Sequence, residues 1–170
     1  MAILSKYPVT ELFYEMPPAG WFHGQAVKVA TSQGDIKLLN IHLRPPASGK
    51  GGLTYLNYFR LPKIHPQEME HLYKILDERG GKIPAIVLGD FNESDKGSAM
   101  NYLRQKGMAD ALQSFDASTN TWHGKLAGIA LAERCDHILF SSEFRCVDAA
   151  VLKEGKSDHY PVIGVFQLKP

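Results

Sequence analysis

The chain is short of several features that would fix a function class at once. It holds 2 cysteines in 170 residues, too few for the disulfide framework of a small secreted domain. Cys135 and Cys146 bracket an expected hairpin and could face each other across it; with no export signal in view, they are read as a reduced pair. Charge of one sign is also lacking. The formal net charge is +1, which argues against a strongly basic nucleic-acid glove while leaving room for a local basic patch. No apolar run approaches the roughly 20 residues a membrane-spanning helix needs. The first residues carry no charged region followed by a long apolar segment, so a soluble, cytoplasmic protein is expected. Gly49-Lys50-Gly51-Gly52 lacks the spacing of a phosphate-binding P-loop and reads as a flexible loop. Internal repeats and low-complexity linkers are missing too.

What is present suits one compact unit. Hydrophobic residues make up 44% and charged residues 22% of the chain, ordinary values for a globular protein. A length of 170 residues fits a single domain, 1–170, with a sizeable core. Residues 25–31 and 35–43 are β-rich runs around Ser32-Gln33-Gly34, the pattern of an antiparallel hairpin. Pro45 opens a Pro/Gly-rich loop extending to Gly52. From Pro66 the pattern turns helical, with Met69, Leu72, Tyr73 and Leu76 on one face and Gly80-Gly81 as the stop. Glu68, Glu70, His71, Lys74 and Glu78 form its solvated face. Residues 82–88 are a short apolar strand. A second helix is expected from Ser98 as N-cap to before Gly107, burying Met100 and Leu103. Residues 115–128 read as a loop in which Trp122 packs on the domain edge or lines a cleft. Strands are expected at 134–140, 146–152 and 160–168. Mixed strands and helices indicate an α/β layered fold.

Chemistry-bearing residues gather at strand ends. Gly89-Asp90-Phe91-Asn92 follows an apolar run, Ser157-Asp158-His159 precedes another, and Cys135-Asp136 opens a third. Asn40-Ile41-His42-Leu43 ends a fourth strand. Carboxylates, an amide and imidazoles converging at one sheet edge suit metal-assisted attack of water on a phosphate ester. The metal needs hard oxygen ligands, the water a base, and the phosphoryl charge a donor. His23, His65, His123 and His137 have no such company and receive no role.

Five strings together resemble the endonuclease/exonuclease/phosphatase superfamily: Ala2-Ile3-Leu4-Ser5-Lys6-Tyr7-Pro8-Val9, Asn40-Ile41-His42-Leu43, Val87-Leu88-Gly89-Asp90-Phe91-Asn92, Arg134-Cys135-Asp136-His137-Ile138-Leu139 and Ser157-Asp158-His159-Tyr160-Pro161-Val162. They occur in the family's order over nearly the whole chain. The resemblance implies a two-sheet β-sandwich flanked by helices. It also exposes a departure. Members of the superfamily typically carry an Asn strand and a metal-binding Glu strand before the Ile-Leu-Ser-Lys-Tyr-Pro-like strand, which here is the N-terminus. Neither Glu11 nor Glu15 sits in a matching context. An N-terminally truncated or reduced member is therefore expected.

By the same resemblance, Asp90 orients or deprotonates the nucleophilic water and Asn92 donates to a phosphoryl oxygen. Their i, i+2 spacing is read as an extended strand end with both side chains on one side. His159 binds phosphate or transfers a proton, oriented by Asp136. His42 is a second donor, and Arg44 contacts substrate phosphate. Asp158, with Asp90, lies on the side of the metal, Mg2+ or alternatively Mn2+. The expected activity is divalent-metal-dependent hydrolysis of a phosphodiester in DNA, RNA or a small phosphorylated molecule. The alternative is a catalytically impaired or partner-completed domain, which binds another chain or a second copy through the face left by the missing N-terminal strands.

Overall fold

The computed structural model describes residues 1–46, 59–126 and 129–170. Most of the expected 45–52 loop, with its Gly-Lys-Gly-Gly stretch, lies outside the described residues. Strands β1 (Val9–Glu15), β2 (Gly24–Thr31) and β3 (Gly34–His42) lead into helix α1 (Leu61–Gly80) and strand β4 (Ala85–Asp90). Helix α2 (Ser98–Gln105), strand β5 (Ala109–Asp110) and helix α3 (Ala111–Phe115) follow. Strands β6 (Trp122–Leu126), β7 (Ile129–Glu133), β8 (Asp136–Phe140), β9 (Phe144–Val151) and β10 (Val162–Leu168) complete the described chain.

The main sheet has the order β1-β2-β3-β4-β8-β5, beside two-stranded sheets β10-β9 and β6-β7. The β2–β3 hairpin turns on Ser32-Gln33, with Thr31 opposite Gly34. Thr31 Oγ1 donates to the Gly34 carbonyl at 2.6 Å and accepts the Gln33 N–H at 3.2 Å, and Gly34 takes the φ of +129° that a side chain resists. Strands β3 and β4 pair in parallel, an arrangement that requires a long crossover and obtains it from α1.

Alternation along β4 divides the core in two. Ala85 and Val87 join Met69, Leu72, Leu76, Met100 and Leu103 in a cluster between sheet and helices. Ile86 faces the other way, into a cluster with Ile138, Phe144, Ala149 and Val151, against which Leu88, Val162 and Phe166 pack. Period-2 alternation thus makes helix–sheet–sheet layers, the α/β sandwich expected from the sequence. Met69 and Leu76 are fully buried, each contributing roughly 1.5–3 kcal/mol of hydrophobic stabilisation.

Several local expectations are corrected. The Ile3-to-Pro8 string is not a strand: β1 begins at Val9, and Leu4 is 96% exposed. The ladder reaches back only to the Pro8 carbonyl, which accepts the Ala30 N–H at 3.0 Å. Helix α1 starts five residues before Pro66, with a proline in its first two positions and Pro66 inside it. Pro62 lies in the first turn, where a missing N–H costs little, and the helix runs on through Pro66, which forgoes only the bond to the Pro62 carbonyl, so Pro66 does not mark the boundary. Glu68 is buried at 1% exposure rather than solvated. The N-cap of α2 is Gly97, with Ser98 at the first helical position; the capping oxygens come from Glu93, which accepts N–H bonds from Ser98 and Met100 at 3.1 and 2.8 Å. Residues 115–128 are not all loop, because β6 forms a hairpin with β7. Cys135 and Cys146 do not face one another across a hairpin: β8 pairs in the main sheet and β9 with β10, and both thiols are free. No helix among the described residues is long and apolar enough to cross a membrane.

Candidate active site

Three neighbouring strands bring their chemistry to one edge of the main sheet. His42, the last residue of β3, lies opposite Asp90, the last of parallel β4. Asp90 lies opposite Asp136, the first of antiparallel β8. Ligand sites of open α/β sheets form outside the carboxyl ends of parallel strands, and the register alone delivers an imidazole and two carboxylates there. Gly89 permits this close pairing. Its φ is +134°, and a Cβ on it would stand 2.0 Å from the Ile41 carbonyl oxygen.

Asp90 is the hub. Its Oδ1 accepts the Asn92 N–H at 2.8 Å, while Oδ2 stands 3.5 Å from His42 Nε2 and 3.9 Å from His159 Nε2. Burial, with Asp136 nearby, pushes its carboxyl above the usual carboxylate range. His159 sits in the loop before β10 and donates Nδ1–H to Asp136 Oδ2 at 2.8 Å. That bond raises the His159 pKa from its ordinary 6.5 and outweighs burial. It also leaves Nε2 as the ring nitrogen facing Asp90. His42 behaves oppositely. Burial lowers its pKa despite the attraction of Asp90, and its ring stacks on Phe22 at 4.0 Å between centroids.

The remaining expected residues are placed differently from one another. Asn92 is not at an extended strand end. It has φ +48°, in the left-handed region that asparagine tolerates better than most residues, and its amide donates to the Leu43 carbonyl at 2.9 Å. The amide thus ties the end of β3 to the turn after β4 while keeping a second N–H. Arg44 is engaged beside the β1–β2 connection: its guanidinium lies 4.7 Å from the Trp21 ring centroid and donates to the Ala19 carbonyl at 3.3 Å. Asp158 accepts the Trp122 indole N–H at 3.2 Å. Among the described residues, the two clusters that gather three metal-ligating side chains are Asp90–Cys135–His159 and Asp95–Asp110–His137. Asp158 is in neither.

Some contributors gave little warning in the sequence. Thr121 is fully buried, and its Oγ1 accepts the N–H groups of Cys135 and Asp136 at 3.1 and 3.0 Å, fixing the start of β8. Trp122 bridges to His159 as an isolated β-pair, so β6 holds the loop that carries Asp158 and His159. A Thr-Trp pair in a polar stretch has no spacing signature. His65 is likewise buried, giving its ring nitrogens to Glu93 Oε2 at 2.9 Å and the Arg44 carbonyl at 2.8 Å. It supports the site from beneath and has no free nitrogen to offer substrate.

A hard divalent cation suits the carboxylate oxygens of Asp90 and Asp136 at this edge, whereas Asp158 is turned to the Trp122 indole. With an imidazole donor beside them, these groups can polarise a phosphoryl group and accept a proton from water.

Comparison with known proteins bears on the family and the fold. The chain matches the Endonuclease/Exonuclease/phosphatase family over residues 1–159. Its fold is similar to that of an endonuclease/exonuclease/phosphatase family protein from Bacteroides thetaiotaomicron, with a TM-score of 0.67 at 17% identity over 97% of this chain and 65% of that one. The mannosyl-6-phosphatase of the same organism gives 0.65 at 20% identity, covering 96% and 66%. The human Nocturnin catalytic domain gives 0.61 at 18% identity, covering 95% and 60%. The chain therefore spans about two thirds of the length of these structures or slightly less. Among curated proteins none matches it. With a family match across most of its length and the family's fold in its strands, the chain belongs to the endonuclease/exonuclease/phosphatase family.

Proposed function

We propose that the protein is a divalent-metal-dependent phosphoesterase that hydrolyses a phosphate ester with an activated water. The observation that carries this reading is the in-register edge His42–Asp90–Asp136 closed by His159. Asp90 takes the proton from the attacking water. Its raised carboxyl pKa makes it a better base than an exposed aspartate, and Oδ2 is the oxygen left clear of the Asn92 bond. His159, held by Asp136, keeps its proton to higher pH than a free imidazole and, in its protonated form, donates Nε2–H to a phosphoryl or leaving oxygen. His42 is neutral in the same range and serves as a second polar contact. The free amide hydrogen of Asn92 points the same chemistry at the phosphoryl group. Asp90 and Asp136 would hold Mg2+ or Mn2+, which supplies charge neutralisation and a more acidic water.

Arg44 enters only as a peripheral substrate contact, because its guanidinium is already committed to Trp21 and Ala19. The substrate class stays broad: a phosphodiester in nucleic acid or a small phosphorylated molecule. A relative bearing the name mannosyl-6-phosphatase supports the second kind.

The test is hydrolysis of a bis-aryl phosphodiester and of a sugar phosphate with Mg2+ or Mn2+, with and without chelator. Chelator-sensitive turnover that falls roughly 10²–10⁴-fold in Asp90→Ala is expected. Turnover untouched by that substitution would sink the reading. A second reading, completion by another chain, is favoured by one observation: Ile163 and Val165 on β10 are 45% and 46% exposed, in a strand that among the described residues pairs only with β9. Sedimentation showing a monomer at all concentrations would count against it.

A further inference from the structure

Cys135 is the residue at this site that hydrolysis of a phosphate ester does not call for. The residue is buried, at 6% exposure. Yet Cys135, Asp90 and His159 each offer a ligand atom within 4.8 Å of the others. We infer that these three residues form a binding site for a soft or borderline divalent cation of the Zn2+ or Cd2+ type, overlapping the hydrolytic site.

Four features support this. The donor set is one sulfur, one imidazole nitrogen and one carboxylate oxygen, which suits Zn2+ and its congeners rather than the oxygen-seeking Mg2+. The backbone that carries the thiol is pinned from both sides: the Cys135 N–H goes to Thr121 Oγ1 at 3.1 Å, and its carbonyl accepts the Phe91 N–H at 2.8 Å. The imidazole is oriented as zinc-binding histidines are, with Nδ1–H given to a carboxylate, Asp136, and Nε2 left for the ion. Finally, charge balances. On binding, the ion displaces the Cys135 thiol proton and the Nε2 proton of His159, and both leave to solvent. One thiolate, one carboxylate and a neutral imidazole then cancel two positive charges in a half-buried place. Three protein ligands leave a fourth position for water or a phosphate oxygen.

One consequence rests on the proposed hydrolysis: an ion held here occupies Asp90 and His159, so zinc inhibits the magnesium-dependent reaction, and a zinc-selective chelator added with Mg2+ in excess restores it. Binding itself does not depend on that reading, and its test is spectroscopic. Cd2+ is titrated into the metal-free full chain while the ultraviolet thiolate-to-cadmium charge-transfer band is followed, with excess Mg2+ present. One equivalent is expected to produce the band in the wild type and in Cys146→Ser, and none in Cys135→Ser with a native circular dichroism spectrum. Asp90→Asn and His159→Ala keep the thiol and are expected to weaken binding by about tenfold or more. A band that follows Cys146, a folded wild type without a band, or affinity indifferent to both Asp90→Asn and His159→Ala would overturn the proposal. Failure of phosphodiester hydrolysis would leave it standing.

Discussion

Two histidine–aspartate pairs stand within a few residues of each other and do opposite things. His159 gives Nδ1–H to Asp136 at 2.8 Å, with side chains 33% and 19% exposed. His137 makes the same bond to Asp110 at 2.9 Å, with side chains 0% and 1% exposed. The bond is nearly identical; the other ring nitrogen is not. In His137, Nε2 is taken by the Glu93 carbonyl at 3.2 Å, and Asp110 also caps α3 through the Leu112 N–H at 3.1 Å. Every polar atom of that pair is spent on the fold. In His159, Nε2 faces Asp90 across 3.9 Å, open to a substrate. A carboxylate-bound histidine therefore signals chemistry only when its second nitrogen is left unpaid by the protein.

The largest separation between the pairs comes from deleting each imidazole. His159→Ala is expected to reduce phosphodiester turnover roughly 10²–10⁴-fold and to move stability by no more than about 1 kcal/mol, because the pair is partly solvated. His137→Ala leaves Asp110 buried without its partner and is expected to cost about 3 kcal/mol in urea unfolding. Equal stability losses in the two variants would erase the distinction.

Asp136→Asn sharpens the comparison from the carboxylate side. The Asp136 bond holds the His159 pKa above 6.5, so the histidine contributes stability that is fully present below 6.5 and lost as pH rises through the folded value. Removing the charge lowers that value. The alkaline limb of the rate profile is then expected to move to lower pH, and the fall in stability over the same range to shrink. A limb that stays in place would show that the His159 proton does not set the rate.

Legibility in the sequence followed the same division. Asp90, Asn92, Asp136, Asp158, His159 and His42 stood out because strand ends place polar residues next to apolar runs, and parallel and antiparallel register then brought His42, Asp90 and Asp136 together. The layers were legible because alternation in β4 and the 3.6-residue period of α1 are local. What escaped depends on distant partners. Thr121 acts through backbone groups 14 and 15 residues away, and Glu93 caps α2 across a turn while holding His65, 28 residues distant. The extended reading of Asn92 fails because its φ is +48°, in a turn closed by its N–H on Asp90 Oδ1 and by its amide on Leu43, 49 residues away. His137 and His65 looked idle for the same reason that they are buried: their partners saturate them.

The smallest expected effect lies at Glu68, a carboxylate with less company than its neighbour. Glu93 accepts from His65, Ser98 and Met100. Among the described residues, Glu68, 1% exposed, takes one long bond, the Arg44 N–H at 3.3 Å on Oε2, while Oε1 has no partner. Burial consequently raises its pKa above 4.5. The folded protein then keeps this proton to higher pH than the unfolded chain does, so stability falls as pH climbs from 4.5 through the raised folded value and is level above it. Glu68→Gln removes the charge, keeps an oxygen for the Arg44 N–H, and is expected to raise stability by about 1 kcal/mol at neutral pH. The gain should vanish at acid pH, where the carboxyl is protonated in both states. A loss instead of a gain at neutral pH would mean that Arg44 and His65 satisfy the Glu68 charge as fully as Glu93 is satisfied, and that an unbonded oxygen here carries no penalty.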